Sequence, residues 1–209
     1  MKTIFTTIAA VLLCISVNAQ IKTKKADRLF NRWDYFRAAK SYQKKSVKHA
    51  NTDLYFKLGE SYRKMNNKKV EEQAAYDEVN KAGTYSDPEF YLNYGQVLRS
   101  NGENADAKIA FDKHTALVPS DPRGKFFSES IDIVAEDHKY DEPITVSNIA
   151  SLNSEGADFS PTIYKDGIVF TSSRKTKGHG KTYGWTGSNY LDMYYAEQGA
   201  SEKEFKTPA

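Results

Sequence analysis

The sequence predicts an α+β chain of more than one domain. An all-α solenoid of stacked helix pairs fills residues 23–140, and a β domain begins over 141–209. Three observations predict this. Apolar and small residues recur every three or four positions from Thr23 to about Lys139, the period of helices with one buried face. Small residues return at near-constant intervals, 33 residues from Ala26 to Gly59 and 36 from Gly59 to Gly95. After Pro143 the composition turns to β-branched residues and serine, with an Asp-Gly turn signal among them.

The chain opens with MKTIFTTIAAVLLCISVNAQ. Lys2 supplies a positive start, Ile4 to Val17 an apolar run too short to span a bilayer comfortably, and Val17-Asn18-Ala19 a cleavage pattern. Residues 1–19 read as a secretory signal peptide cleaved after Ala19, which sends the mature protein to a bacterial periplasm or surface. Cys14, the only cysteine, follows Leu13 where a lipoprotein signal wants a small residue, so it leaves with the signal. The mature chain then has no thiol, which excludes disulfides, cysteine metal sites and cysteine nucleophiles. No later apolar run reaches membrane-spanning length. A net charge of +3 is too small to imply nucleic acid.

The first helix pair lies in ADRLFNRWDYFRAAKSYQKKSVKHAN, with Ala26 as its small residue, Leu29 and Phe30 behind it, and DYFRAAKSY opening the second helix. LYFKLGESYRKMNNKK repeats the first helix as Tyr55, Leu58, Gly59 and Tyr62. In its second helix, VEEQAAYDEVNKAG, the residues Ala74, Ala75 and Tyr76 form the inner face, and Asp87-Pro88 ends it. The third pair puts Tyr91, Tyr94, Gly95 and Leu98 on one face, turns at Asn101-Gly102, places Ala107 and Phe111 together on the next helix, and stops at Pro119. One more helix, DPRGKFFSESIDIVAEDHKY, offers Phe126, Phe127, Ile131 and Val134 as a face packed on the last pair, the cap that such a stack requires.

These residues resemble the tetratricopeptide repeat (TPR), with Gly95, Ala107, Phe111 and Pro119 at the family's spacings and a period near its value of about 34. The resemblance implies a concave binding surface lined by the first helix of each repeat. Arg63 and Arg99 each follow the repeat's glycine by four residues, so stacking brings them to equivalent places on that surface. With Lys64 they are the candidate partner-binding residues, able to grip a carboxylate or an acidic segment. The alternative is a set of solvated surface cations, with Glu60 pairing Lys64.

In the β half, Asp166-Gly167 between two apolar runs predicts a hairpin pairing Phe159 to Tyr164 with Ile168 to Ser173. YLDMYYAE is a third strand, and EFKTPA leads into a fourth. The stretch TKGHGKTYG between the second and third strands imitates a phosphate loop. Its first glycine position holds Lys175, however, and the residues after it, YGWTGSNYLDMYY, have the composition of loop and strand and not of a helix. The stretch therefore reads as an outer excursion of the sheet. Asp158, Ser160-Pro161, Asp166-Gly167, Phe170-Thr171-Ser172 with Arg174, and Asp192-Met193-Tyr194 resemble one blade of a TolB-like β-propeller. The loop from Lys175 to Asn189 is longer than such a blade needs. The resemblance makes the fold class a TPR solenoid followed by the first blade of a β-propeller, in the N-terminal part of a longer protein.

The order of signal peptide, TPR repeats and LNSEGADFSPTIYKDGIVFTSSR resembles the large OmpA-family, PorE-like periplasmic proteins of gliding, type IX-secreting bacteria. That resemblance implies a non-catalytic scaffold associated with the outer membrane. Its partner is a protein, an outer-membrane β-barrel of PorP or SprF type or an associated lipoprotein. Peptidoglycan is held only by a C-terminal domain that these 209 residues do not include. An accessory role in outer-membrane protein assembly is the alternative. A serine peptidase propeller is the rival from another class, but no G-x-S-x-G occurs. The histidines are His49, His114, His138 and His179, none at i, i+4 spacing, and His49 and His114 fit helix ends or surfaces. No catalytic residue, cofactor or metal is assigned.

Overall fold

The structure, a computed structural model, describes residues 22–83, 85–137, 145–175, 181–200 and 204–208. The expected signal peptide with Cys14, and also His138, His179 and Gly180, lie outside the described residues.

The described residues form seven helices: α1 (Lys24–Asn31), α2 (Tyr35–Ser46), α3 (Thr52–Met65), α4 (Lys69–Lys81), α5 (Pro88–Ser100), α6 (Asn104–Leu117) and α7 (Pro122–Asp137). Each packs chiefly on the next in sequence. Their apolar residues form two successive clusters, one around α1 to α3 and one around α4 to α6. This is a TPR-like stack and not a bundle closed on one centre.

The glycines explain the stacking. A Cβ on Gly59 would stand 2.4 Å from Cε1 of Tyr76, and one on Gly95 would stand 2.5 Å from Cε1 of Phe111. Each first helix therefore presses its bare backbone against an aromatic ring of its partner helix, and both rings are fully buried. Ala26 does the same duty in the first pair, where it is fully buried with Tyr42. In α4 the inner face is Ala75, Tyr76 and Val79, while Ala74 is exposed, because Glu72 and not Ala74 falls on the buried stripe.

Asp87-Pro88 does not end α4, which stops at Lys81; it starts α5. The Asp87 side chain accepts from the Glu89 amide at 3.0 Å, and Pro88 needs no amide partner at the first helical position. Asp121-Pro122 repeats the device at α7, where Asp121 accepts from the Arg123 amide at 3.0 Å. Arg123 then clasps Glu89, 34 positions away, through two bonds of 3.2 and 2.9 Å. On α7, Phe127 and Ile131 pack on the last repeat as expected, but Phe126 is 65% exposed; the side chain of Val134 lies outside the described residues. His114 sits in the last turn of α6 but is not at the surface: the start of α7 covers it, with Gly124 against its ring and Asp121 3.5 Å from Nε2.

The β half is a small antiparallel sheet in the order β1 (Asp158–Tyr164), β2 (Gly167–Ser172), β3 (Asp192–Glu197). Ser160, at φ 56, and Pro161 sit at a bulge in the edge strand β1, where a missing amide is harmless. The hairpin forms one residue earlier than Asp166-Gly167 predicts. Tyr164 pairs with Gly167, so the loop is Lys165-Asp166. Gly167 is needed for another reason: a Cβ there would lie 2.2 Å from the carbonyl oxygen of Ala196 in β3. The expected fourth strand is a single bridge, Gln198 to Phe205. The described residues thus hold a three-stranded sheet and no complete propeller blade.

Asp158 organises this unit. Its carboxylate accepts from Ser172 Oγ at 2.5 Å, Arg174 Nη2 at 2.9 Å, and the amide and hydroxyl of Ser154. Burial alone would push its titration up, but those bonds outweigh it and hold the carboxyl well below the usual range. The Arg174 guanidinium also covers the rings of Phe170 and Tyr194.

The glycine-rich excursion does not point away from the molecule. Its described part, residues 181–190, closes on itself through the bridge Thr182 to Asn189 and turns back onto the helices. Gly184 accepts the Phe36 amide at 3.0 Å, and Thr186 accepts from Asn67 at 3.2 Å. Gly187 has φ 77, and a Cβ on it would lie 2.3 Å from the ring of Phe36. Trp185 stands edge-on to Tyr35 at 5.2 Å.

Candidate functional site

The first helices of the opening repeats frame a groove. It is a cavity of about 440 Å³ lined by Asp27, Phe30, Asn31, Tyr42, Phe56, Lys57 and Glu60. Two carboxylates form its floor. Asp27 directly follows Ala26, and Glu60 directly follows Gly59, so the repeat interval places them on equivalent turns.

Each carboxylate is gripped by a tyrosine of the second helix. Tyr42 donates to Asp27 at 2.7 Å and Tyr76 to Glu60 at 2.5 Å. Burial first, and then the neighbouring carboxylate, push both phenols far above their ordinary range, so both stay donors at every physiological pH. Cations complete the pattern. Lys57 reaches Asp27 at 2.9 Å, joining the first two repeats, and Arg63 binds Glu60 with two bonds of 2.8 and 2.7 Å. Asn93 of α5 adds a bond of 3.1 Å to Glu60, joining the second repeat to the third. For Asp27, burial works against charge, but bonds from Lys57, Thr23 and Tyr42 win and keep it ionised. The third repeat breaks the series, since Gln96 and Phe111 stand where an acid and a tyrosine would continue it. A floor satisfied in this way is rigid. It leaves Phe30 and Phe56, half-buried, to offer apolar contact.

The sequence-predicted residues are distributed differently from expectation. Glu60 pairs with Arg63 and not with Lys64. Arg63 is the half-buried clamp of that carboxylate. Arg99 is exposed, lies over the ring of Phe127 at 5.3 Å, and approaches Ser130 Oγ at 3.3 Å on the capping helix. Lys64 has an exposed side chain, and its carbonyl accepts the indole N–H of Trp185 at 2.7 Å. Among the described residues no hydrogen bond joins Arg63, Lys64 and Arg99 to one another. Sequence pattern does not single out Asp27, Tyr42, Lys57, Tyr76 or Asn93 as site residues. A signal for the acids is nevertheless present, an acid directly after the small residue of two successive repeats.

No group of three or more histidine, cysteine or carboxylate side chains able to hold a metal ion occurs among the described residues. Nor, among them, is any helix long and apolar enough to cross a membrane.

No family model matches the chain, and no curated protein matches it. Among solved structures it is similar to the Yersinia enterocolitica type III secretion chaperone SycD, in complex with a peptide of the translocator YopD. That match has 19% identity and a TM-score of 0.46, over 54% of this chain and 91% of that one. It is similar also to PcrH from Pseudomonas aeruginosa, at 14% identity and a TM-score of 0.40, over 56% of this chain and 88% of that one. The repeat assignment itself stands on the chain's own packing, in which a bare first-helix backbone meets a buried ring on its partner helix at Gly59 and again at Gly95.

Proposed function

We propose that this chain is a docking scaffold without catalytic function, whose TPR-like stack receives a segment of a partner protein in the groove between α1 and α3. The observation that carries the reading is the groove floor. Two repeat-related carboxylates are fully bonded within the protein, so the inner surface is preorganised and binding costs little ordering of the receptor. Lys64, at the end of α3, and Arg99, on α5 against the capping helix, are exposed cations outside the groove lining and would meet acidic parts of a longer partner segment.

The finer reading is a periplasmic scaffold of an outer-membrane complex of the type IX secretion or gliding kind. It is supported by the signal-peptide pattern of residues 1–19 and by the motif resemblance of residues 158–194. The partner in that reading is an outer-membrane β-barrel or its associated lipoprotein. None of these 209 residues is assigned to a peptidoglycan contact.

The test is affinity purification of the tagged protein from solubilised outer membranes, compared with the double variant Lys64→Glu/Arg99→Glu and with Asn31→Trp, which fills the groove. Loss of a co-purifying outer-membrane protein in both variants is the expected result. Undiminished co-purification in both moves the interface off the inner surface.

A further inference from the structure

We propose that the seam between the end of α1 and the 181–190 hairpin holds a second binding site, separate from the groove, for a carboxylate-bearing peptide segment. The seam encloses a cavity of about 430 Å³, open to solvent.

Its charge is one-sided. Arg28, Arg32 and Arg37 line it against a single carboxylate, Asp34. Asp34 is already occupied by Arg37 at 2.6 Å. Arg28, in the last turn of α1, and Arg32, directly after it, have no ion-pair or hydrogen-bond partner among the described residues. Two unpaired guanidiniums on one wall match carboxylates through paired N–H donors.

The aromatic lining decides what carries the carboxylate. Trp33 is 65% exposed although its backbone sits at φ 61, a conformation costly for a bulky side chain. That φ belongs to the left-handed turn that ends α1, where the Trp33 amide returns to the Phe30 carbonyl at 3.0 Å and the Asp34 amide to that of Leu29 at 3.0 Å, and the turn leaves the ring exposed beside the cavity. Trp33 faces Trp185 at 6.3 Å with the rings inclined by 47°, and Tyr183 faces Tyr190 at 5.3 Å with an inclination of 46°. These pairs make wedges, not flat platforms. The exposed rings offer apolar contact to the side chains that flank a carboxylate in a peptide.

The N-terminus of α2 adds no free amides to the site, because Asp34 caps that end and accepts from the Arg37 amide. The recognition falls to the guanidiniums of α1 and the following turn.

The experiment is fluorescence anisotropy of the full chain with a labelled peptide alternating glutamate and phenylalanine. The controls are the same peptide with glutamine for glutamate, inorganic phosphate, and polygalacturonate. Binding of the acidic peptide is expected, at least about tenfold tighter than the glutamine peptide and weakened by salt. Arg28→Glu/Arg32→Glu is expected to weaken it by about tenfold per charge with an unchanged melting temperature, since both side chains are exposed. Trp33→Gly is expected to weaken binding while the melting temperature holds or rises, because glycine accepts the left-handed backbone. Equal affinity for the glutamine peptide, or undiminished binding by the arginine variant, overturns the proposal. Tighter binding of phosphate or polygalacturonate than of the peptide overturns it as well. So does loss in the groove variant Asn31→Trp without loss in the arginine pair.

Discussion

The indole N–H of Trp185 donates to the carbonyl of Lys64 across 2.7 Å, joining residues 121 positions apart in the chain. That carbonyl belongs to the last turn of α3, where a helix leaves its acceptors without partners of its own. The hairpin supplies the missing donor. The long excursion between β2 and β3 thus fastens the sheet to the opening repeats.

Trp185→Ala removes both this bond and the edge-on contact with Tyr35, and is expected to weaken the seam by about 2 kcal/mol. Hydrogen exchange reads it directly. The Phe36 amide, which donates to Gly184 at 3.0 Å, should lose protection while amides in α5 and α6 keep theirs. Unaltered protection at Phe36 would mean that Trp185 does not hold the seam.

Gly95→Val drives a branched side chain into the ring of Phe111, 2.5 Å from the first added carbon, and is expected to cost about 3 kcal/mol. Gly59→Val should cost as much against Tyr76. Gly102→Ala is the contrast. It meets nothing within 4 Å and pays only for its backbone at φ 86, about 1 kcal/mol. Denaturant midpoints that failed to rank the first two variants below the third would refute the repeat register.

Glu72→Gln tests a buried acid. Glu72 is 1% exposed, and burial raises its carboxyl above the usual range, only partly offset by Lys69 at 3.2 Å. A raised acid favours folding while protonated and opposes it once pH climbs through the raised value. The glutamine variant should therefore melt higher than the natural protein at pH 7, with the difference vanishing near pH 4. A lower melting temperature for the variant at pH 7 would show that the Lys69 pair outweighs burial.

Asp158→Asn runs the opposite way. Arg174, with a side chain 15% exposed, loses its anion, at an expected cost of about 3 kcal/mol to the β unit. Because the natural carboxyl titrates well below its ordinary range, its contribution is complete above about pH 5 and is lost as pH falls through the lowered value. Acid titration followed by near-ultraviolet circular dichroism should show the two proteins diverging at neutral pH and converging in strong acid.

The helical half is legible in the sequence because its determinants are periodic. Gly59, Gly95 and Phe111 announce themselves by spacing, and the structure uses them as spacing implies. The meaning of Asp87-Pro88 is not legible from one copy, since the same pair suits an ending or a beginning. Its second copy at Asp121-Pro122, also opening a helix, resolves it. Gly167 misleads because a turn glycine and a close-approach glycine look alike in sequence. The role of Arg63 depends on whether Glu60 turns toward it or toward Lys64, three or four residues on, a choice that both spacings allow. The pairing of Trp185 with Trp33 and Tyr35 has no sequence signal at all, because it is a contact between distant segments with no shared period.

The anchoring of the hairpin at α3 turns a linear array into a closed ring. Tension applied between the first helices and the sheet would pass through the tryptophan contact. The last repeats and their cap form a bypassed loop that carries none of the load until that contact ruptures. The fuse of the molecule is then one short hairpin, held by its indole and by the carbonyls of Gly184 and Thr186, and the slack held behind it is the whole run of chain from α4 to α7.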